Sequence, residues 1–174
     1  PKRATWIQLM NGSQDTEYAE IDGVVTAIKG RQIVLLTEGG RVTVELREFR
    51  PEALLGYEGD LIRIRGCCLP NFNMGTRKLE AGALAVSGAA VEVLQHAPRD
   101  LFDAPRKSIG ELLFYDANAE PFRGLKVTGQ VIYSRAGECF LTDGTNGMHV
   151  MNRNTNRFNA GDLVDAVGFL ELGG

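Results

Sequence analysis

The sequence predicts a mostly β protein built from two small β-barrels in tandem, each preceded by a short α-helix. Three observations lead to this prediction. A Gly-Asp strand at 59–66 recurs at 161–168, a Ser/Thr helix start precedes each copy, and short strand-like segments fill much of the 174 residues. Because the strand and the helix start recur together, they indicate one structural unit used twice.

Each unit begins with a capping-box pattern. Thr5 stands three residues before Gln8, and Ser108 stands three residues before Glu111. In such a pair the hydroxyl group and the amide or carboxyl group each satisfy a backbone N–H at a helix start. The pattern therefore predicts a short helix at both places, the first of them ended by the Asn-Gly pair at 11–12.

Alternating and β-branched residues after the first helix predict a series of short strands. The predicted elements of this half are strands at 18–28, 33–37, 41–46 and 61–65, a helical turn at 51–55, a loop at 67–78, a returning segment at 79–86 and a last strand at 90–94.

The second half repeats this order. Residues 125–132 match 19–25, which places Gly129 on Gly23, and a glycine inside a strand pattern indicates a bulge or a sharp bend where a barrel closes. The segments 138–142, 148–151 and 163–167 supply the further strands of this half. No counterpart of the long loop and last strand of the first unit follows, so we interpret the second unit as C-terminally truncated.

The two prolines between Pro98 and Pro105 predict the domain boundary, with one module at 1–97 and the other at 98–174. About five short, strongly bent strands per module favour a small barrel of the OB type. SH3-like barrels and a single sandwich remain alternatives. Because the chain begins at Pro1 without a methionine and stops at Gly174, we interpret it as a fragment of a longer polypeptide.

The charge balance disfavours a general nucleic-acid-binding protein. The first module carries 11 basic and 12 acidic residues, and the second carries 8 and 10. Proteins that bind the phosphate backbone usually have a basic excess. No apolar run reaches the length of a membrane span, and no signal peptide pattern is present.

No residue set predicts catalysis, a metal site or a cofactor. The histidines and cysteines do not fall at metal-ligand spacing or in a nucleophile–base arrangement, and they are His96, His149, Cys67, Cys68 and Cys139. Cys67-Cys68 follows a buried strand, so at least one of the two is expected in the core. The Gly-rich segment 143–147 has no P-loop lysine and is interpreted as a hairpin turn.

The candidate contact residues lie on the face and loops that OB barrels use for binding. In the first module they are Arg41, Arg63, Arg65, Phe72 and Arg77, and in the second they are Tyr133, Arg135, His149, Arg153 and Arg157. The alternative for Arg63 and Arg65 is that they form the solvated side of an alternating strand. The second copy has Asp165 and Val167 at those two positions, so no basic strip repeats.

Five motifs together carry a resemblance to a known family. They are the Glu20–Val25 strand, Ile64–Gly66 running into the Pro70–Asn73 loop, Val91–Leu94 followed by the Ser108–Leu113 helix, the Phe140–Gly147 segment, and Gly161–Val164 with Val167–Phe169. In order and spacing the chain resembles the tandem OB-like modules in the N-terminal extracytoplasmic sensory region of large bacterial sensor histidine kinases.

This resemblance implies a non-catalytic sensory, ligand-binding or partner-binding module of a two-component signalling protein. The parent would be a membrane-anchored protein histidine kinase with this part in the periplasm, and the fragment itself would not contact the membrane. The partner would be a small ligand, a saccharide or a protein. The alternative function is that of a single-stranded nucleic-acid-binding OB-fold protein, which the charge balance disfavours.

Overall fold

A computed structural model describes residues 1–73, 78–112, 122, 124–152 and 157–170, with the side chains of 72–73 and 78–81 left out of the description. The protein is mostly β. It divides into two compact units, Pro1–Ala97 and Pro98–Gly174, which are described separately below.

The first unit contains six strands and two short α-helices. They are β1 (Lys2–Arg3), α1 (Trp6–Met10), β2 (Tyr18–Lys29), β3 (Gln32–Thr37), β4 (Gly40–Leu46), α2 (Pro51–Leu54), β5 (Leu61–Asn73) and β6 (Lys78–Gln95), with a 3₁₀ turn at Leu55–Tyr57.

The strand pairings of the first unit pass from β2 through β3, β4, β6 and β5 and return to β2. Most pairs are antiparallel, but β4 and β6 run parallel, and the two-residue β1 pairs parallel with β2. Side chains from all five main strands fill the interior. The aliphatic residues that are at most 1% exposed there include Ile21, Ile33, Leu35, Val44, Leu46, Ile62 and Ile64.

The predicted helix start at Thr5 is confirmed. The Thr5 hydroxyl accepts from the Gln8 backbone N–H at 3.4 Å, and the Gln8 side chain accepts from the Thr5 backbone N–H at 2.9 Å. The helix ends at Asn11. It is fixed to the sheet by Trp6, whose Nε1–H donates to the Arg41 carbonyl oxygen at 3.1 Å.

The predicted loop at 67–78 is wrong as far as Asn73, because β5 continues to that residue. The predicted segments at 79–86 and 90–94 likewise belong to one strand, β6. Composition predicted a break at Pro70, but a register shift between Pro70 and Phe72 lets the strand pair continue past the proline. Met74–Arg77 lies outside the described residues.

The second unit contains one short α-helix and four strands among its described residues. They are α3 (Ile109–Leu112), β7 (Leu125–Arg135), β8 (Glu138–Thr142), β9 (Gly147–Met151) and β10 (Leu163–Gly168), with a 3₁₀ turn at Leu101–Asp103. The strand order is β10-β7-β8-β9, and all neighbours are antiparallel. The predicted capping box at Ser108 is present, because Ser108 Oγ accepts from the Glu111 N–H and the Glu111 carboxylate from the Ser108 N–H.

The bend glycines occupy the same place in both units. A Cβ on Gly23 would lie 2.8 Å from the Leu36 carbonyl oxygen, and one on Gly129 would lie 3.2 Å from that of Thr142. Two residues after each glycine, the backbone exchanges hydrogen bonds with the Gly-Asp turn. Val25 N–H donates to Asp60 O at 2.9 Å, and Val131 N–H donates to Asp162 O at 2.8 Å.

A β-bulge follows at the same step in each copy. It lies between Val25 and Ala27 in β2, and between Val131 and Tyr133 in β7. The sequence repeat is therefore also a repeat of backbone hydrogen bonding, and this repeat makes residues of the two units comparable position by position.

Candidate functional site

Three rings form a row across the outward face of β7, β8 and β9. Phe140 lies opposite Tyr133 on one side and opposite His149 on the other. The Phe140 and His149 rings stack with centroids 4.6 Å apart at 16°, and the Tyr133 ring is tilted 6.3 Å from Phe140. We call Tyr133, Phe140 and His149 the aromatic row.

The aromatic row is open to solvent. Tyr133 is 53% exposed and Phe140 is 38% exposed. Large apolar side chains usually lie inside, so adjacent exposed rings are more informative than scattered ones. The row therefore offers a flat apolar surface on which a planar group can stack.

Strand alternation and the bulge explain why these rings point outward. In β8 the neighbours Cys139 and Leu141 are buried, so Phe140 between them faces the opposite side. The bulge after Val131 shifts the register of β7 by one residue, which brings Tyr133 opposite Phe140.

An ionic group borders one end of the aromatic row. Glu138 accepts from Arg135 Nε, and its other carboxylate oxygen lies 2.9 Å from His149 Nε2. The hydrogen bond from Arg135, followed by the one from His149, lowers the pKa of the Glu138 carboxyl group. Glu138 therefore holds the His149 ring in the plane that stacks on Phe140.

A shallow hollow of about 450 Å³ borders the other end. It is lined by Thr128, Gly129, Gln130, Thr142, Asp143, Gly144 and Leu163. Thr142 follows Phe140 by two residues, so it lies on the same outward face. Gln130 Nε2 donates to the Gly161 carbonyl oxygen at 3.1 Å, which fixes one wall. The row and the hollow thus form one continuous surface with an apolar part and a polar part.

The predicted hairpin turn at 143–147 is confirmed, since it joins the antiparallel β8 and β9. The Asp143 carboxylate accepts from the backbone N–H groups of Asn146 and Thr145 at 2.8 and 3.0 Å. These two hydrogen bonds lower the pKa of Asp143. Because its amides bind this internal carboxylate, the turn does not present them to an external anion.

The first unit lacks an aromatic row at the matching positions. Ala27 pairs with Val34, and Val34 pairs with Thr43, in the register that joins Tyr133, Phe140 and His149 in the second unit. The two outward faces are therefore built alike in backbone but differ in what they can bind.

The outward face of β2 and β5 in the first unit carries an ion-pair network. Arg63 donates to both carboxylate oxygens of Asp22, from Nε at 2.7 Å and from Nη2 at 2.8 Å. Arg3 also lies 3.0 Å from Asp22. Arg65 lies 3.3 Å from Glu20 and 2.9 Å from Glu92.

This network already engages two of the predicted contact residues. The hydrogen bond from Asp22 is the main cause that raises the pKa of Arg63, and the one from Glu20 raises that of Arg65. The isoleucines at 62 and 64, which alternate with them, are fully buried. A ligand anion at Arg63 or Arg65 would compete with carboxylates that are already bound.

The remaining predicted residues are dispersed or undescribed. Arg41 is exposed on β4, and Arg157 is exposed after β9. Phe72 lies near the end of β5, where its side chain is not described, and Arg77 and Arg153 lie outside the described residues. The structure thus brings together Tyr133, Arg135 and His149 among the residues predicted for the second unit.

Sequence reasoning missed Phe140 and Glu138 as members of the surface. The signal was available in the alternation of β8, where these two positions fall opposite the buried Cys139 and Leu141. It was overlooked because Phe140 in isolation is as easily explained as a core residue of a short strand.

The cysteines are free thiols, and Cys68 and Cys139 are buried while Cys67 is half-buried. Burial, with a smaller effect of the neighbouring Cys67, raises the pKa of the Cys68 thiol to about 11, and burial also raises that of Cys139. The expectation of a core cysteine in the pair is confirmed by Cys68. Within the described ranges, no group of three or more His, Cys, Asp or Glu side chains is placed to hold a metal ion. Nor does that part of the chain contain a helix long and apolar enough to cross a membrane.

Comparison with known proteins gives weak similarities. No family model matches the chain, and no curated protein matches it. Among solved structures, a protein titled as an aspartyl-tRNA synthetase from Leishmania major is 15% identical with a TM-score of 0.41, covering 60% of this chain and 24% of its own.

A second solved structure is the OB domain of a Thermoplasma acidophilum protein. It is 14% identical with a TM-score of 0.32, covering 48% of this chain and 81% of its own. With TM-scores below 0.5, neither similarity assigns a fold or a function to this chain. The chain also spans less than two thirds of the length of the first of these structures.

Proposed function

We propose that the chain is a non-catalytic binding protein of the OB type, and that its 98–174 unit binds single-stranded nucleic acid on the aromatic row. The observation that carries this proposal is the alignment of Tyr133, Phe140 and His149 across three neighbouring strands. Single-stranded nucleic acids are bound on such rows because every base has a flat face that stacks on an aromatic ring.

The proposed fold supports this assignment. The circuit of β2, β3, β4, β6 and β5, with β4 and β6 parallel, suits a five-stranded OB barrel, and β7 to β10 repeat four of its strands. OB folds bind oligonucleotides and oligosaccharides on the face of their second and third strands and on adjoining loops. In the second unit those strands are β8 and β9, which carry Phe140 and His149.

The electrostatics of the surface set how such binding would behave. Arg135 at the end of the row is paired with Glu138, and the unit has no basic excess. Stacking would therefore supply more of the affinity than phosphate contacts. We expect micromolar affinity with a slope of log K against log salt no steeper than about −2, since each neutralised phosphate of a single strand contributes about −0.7.

A saccharide is the second candidate, and the polar hollow beside the row favours it. The hollow carries hydroxyl, amide and carboxylate groups from Thr128, Gln130, Thr142 and Asp143, next to an apolar ring surface. Concave sites of this kind orient neutral ligands through a few placed polar groups. The near-neutral charge of the unit suits a neutral sugar better than a polyanion.

The sensory role in a bacterial histidine kinase remains a prediction from the resemblance in sequence motifs. It is compatible with either ligand, because a sensory module needs a binding surface and no catalytic group. The full-length sequence of the parent would test it, since a kinase region and a membrane span must accompany the module.

Fluorescence-anisotropy titration tests the proposed function directly. Labelled single strands of about 12 nucleotides with mixed sequence would be titrated with the protein at low salt, where weak binding is best detected. The same experiment with a duplex of that sequence provides the control, because paired bases cannot stack on the row. Binding of the single strand in preference to the duplex is expected.

Chitohexaose and maltohexaose titrations by calorimetry separate the two candidates. Heat of binding with either sugar and flat oligonucleotide titrations would transfer the proposal to the saccharide. Flat titrations with all four probes would remove both assignments.

A further inference from the structure

We propose that the 98–174 unit accepts a fifth, extended strand between β9 and β10, parallel to β9 and antiparallel to β10. The occupant is a partner segment with alternating apolar side chains, of the kind that β6 supplies in the first unit. This inference is independent of the aromatic row, which lies on the outward face of the same sheet.

The two units can be compared strand by strand because their pairing registers match. Met148 lies opposite Leu141, as Val42 lies opposite Leu35. By the same register Val150 corresponds to Val44.

The register of the Gly-Asp strands extends the comparison. Val164 lies opposite Gly129, as Ile62 lies opposite Gly23. By the same register Ala166 corresponds to Ile64. The inward residues of β9 and β10 in the second unit are thus the counterparts of those of β4 and β5 in the first.

In the first unit a strand fills the space between these residues. β6 pairs parallel with β4 and antiparallel with β5. It contributes the buried Leu84 and Val86 and the partly buried Val91 and Val93 to the core. The four inward residues of β4 and β5, namely Val42, Val44, Ile62 and Ile64, are at most 1% exposed.

Among the described residues of the second unit, β9 and β10 are the two ends of the sheet and pair with no further strand. Their inward residues, Met148, Val150, Val164 and Ala166, are half-buried although their counterparts are sealed. Large apolar residues at the two ends, Met151 and Leu163, are 61% and 76% exposed.

An unpaired edge with apolar side chains is a template for adding a strand. The gap dictates the chemistry of its occupant. Two facing edges require an extended backbone that hydrogen-bonds on both sides, so a helix cannot fill the space. The half-buried inward residues require an apolar side chain at every second position, which is the pattern of Val91 and Val93 in β6.

A tethered strand tests this inference on the whole chain. The sequence of residues 83–95 would be appended after Gly174 through a flexible Gly-Ser linker of about eight residues, which brings the strand to a high effective concentration. The matched control carries the same appendage with its copies of Leu84, Val86, Val91 and Val93 replaced by serine.

The readouts are amide hydrogen exchange of β9 and β10, the melting temperature of the 98–174 unit, and sedimentation. We expect exchange in these two strands to slow by about tenfold or more, with a higher melting temperature, in the apolar fusion and not in its control. Equal exchange in both fusions would overturn the inference. It would also be overturned if the unfused chain already protects these edges, whether as a monomer that fills its own gap or as a dimer in which a second copy does.

Discussion

Phe140 and His149 face each other on neighbouring strands, and their rings stack with centroids 4.6 Å apart. Their counterparts in the first unit are Val34 and Thr43, which occupy the same register without rings. The two units thus share one backbone plan, while the outward side chains of three strands distinguish them. The following predictions test first the shared plan and then the distinguishing surface.

Replacing the bend glycine should destabilise each unit, and the first unit more. A Cβ on Gly23 would lie 2.8 Å from a backbone oxygen, whereas the nearest contact at Gly129 would be 3.0 Å, to a side-chain carbon. We expect Gly23→Ala to lower the free energy of unfolding by about 2 kcal/mol and Gly129→Ala by about 1 kcal/mol. Urea unfolding measures both. Gly56→Ala is the control, because a Cβ there meets no atom within 4 Å, and a larger loss in that variant would refute the steric explanation.

Breaking the Asp22–Arg63 pair should destabilise the first unit more than breaking an exposed pair. Asp22 binds Arg63 through two hydrogen bonds, and the Arg63 side chain is only 18% exposed. We expect Asp22→Asn to cost about 1–2 kcal/mol, since it leaves a partly buried cation without its main partner. Arg47→Met should cost less than about 0.5 kcal/mol, because its contact to Glu45 is 3.7 Å long and exposed. Similar costs for the two variants in urea unfolding would contradict this account.

The 98–174 unit should lose stability in acid through Glu138. Its pKa is lowered in the folded state by Arg135 and then by His149, so the folded state favours the ionised form. The resulting stabilisation is present above the unfolded-state value of about 4.3 and is lost as pH falls through the lower folded-state pKa. We expect the urea midpoint to fall between about pH 5 and pH 3, and to fall less in Glu138→Gln. An identical pH profile in the variant would exclude Glu138 as the cause.

Thiol labelling should distinguish the three cysteines. Cys68 and Cys139 are 3% exposed, and burial raises the pKa of both thiols, so few of them are thiolate near pH 8. We expect one rapid modification per folded chain, at the half-buried Cys67, and three after unfolding. Cys67→Ser should abolish the rapid phase, as measured by mass spectrometry. Rapid modification of that variant would show that a buried thiol is accessible.

Much of the fold could be predicted because its signals are local. The capping pairs at Thr5 and Ser108, the bend glycines and the Gly-Asp turns each follow from short-range chemistry, and each recurs in the second half. The β5–β6 pair was mispredicted for the opposite reason. Pairing between distant residues carries β5 past Pro70 to Asn73, although local composition favoured a loop.

The candidate surface was harder to predict because it depends on register. Tyr133 and His149 were identified individually, but sequence alone did not show that Phe140 lies between them. That arrangement requires the bulge after Val131, which decides which β7 side chain faces β8. Arg63 and Arg65 attracted attention as exposed cations, yet their carboxylate partners come from other strands.

The central claim is that the aromatic row makes the second unit a binding surface. The most direct test compares Phe140→Ala with Val34→Ala, its counterpart in the first unit, in anisotropy titrations of a labelled single strand. Since stacking contributes about 1–3 kcal/mol per base, we predict that Phe140→Ala weakens binding by about tenfold to a hundredfold, while Val34→Ala leaves it unchanged. Equal affinities for the two variants, with both proteins folded by circular dichroism, would contradict the claim.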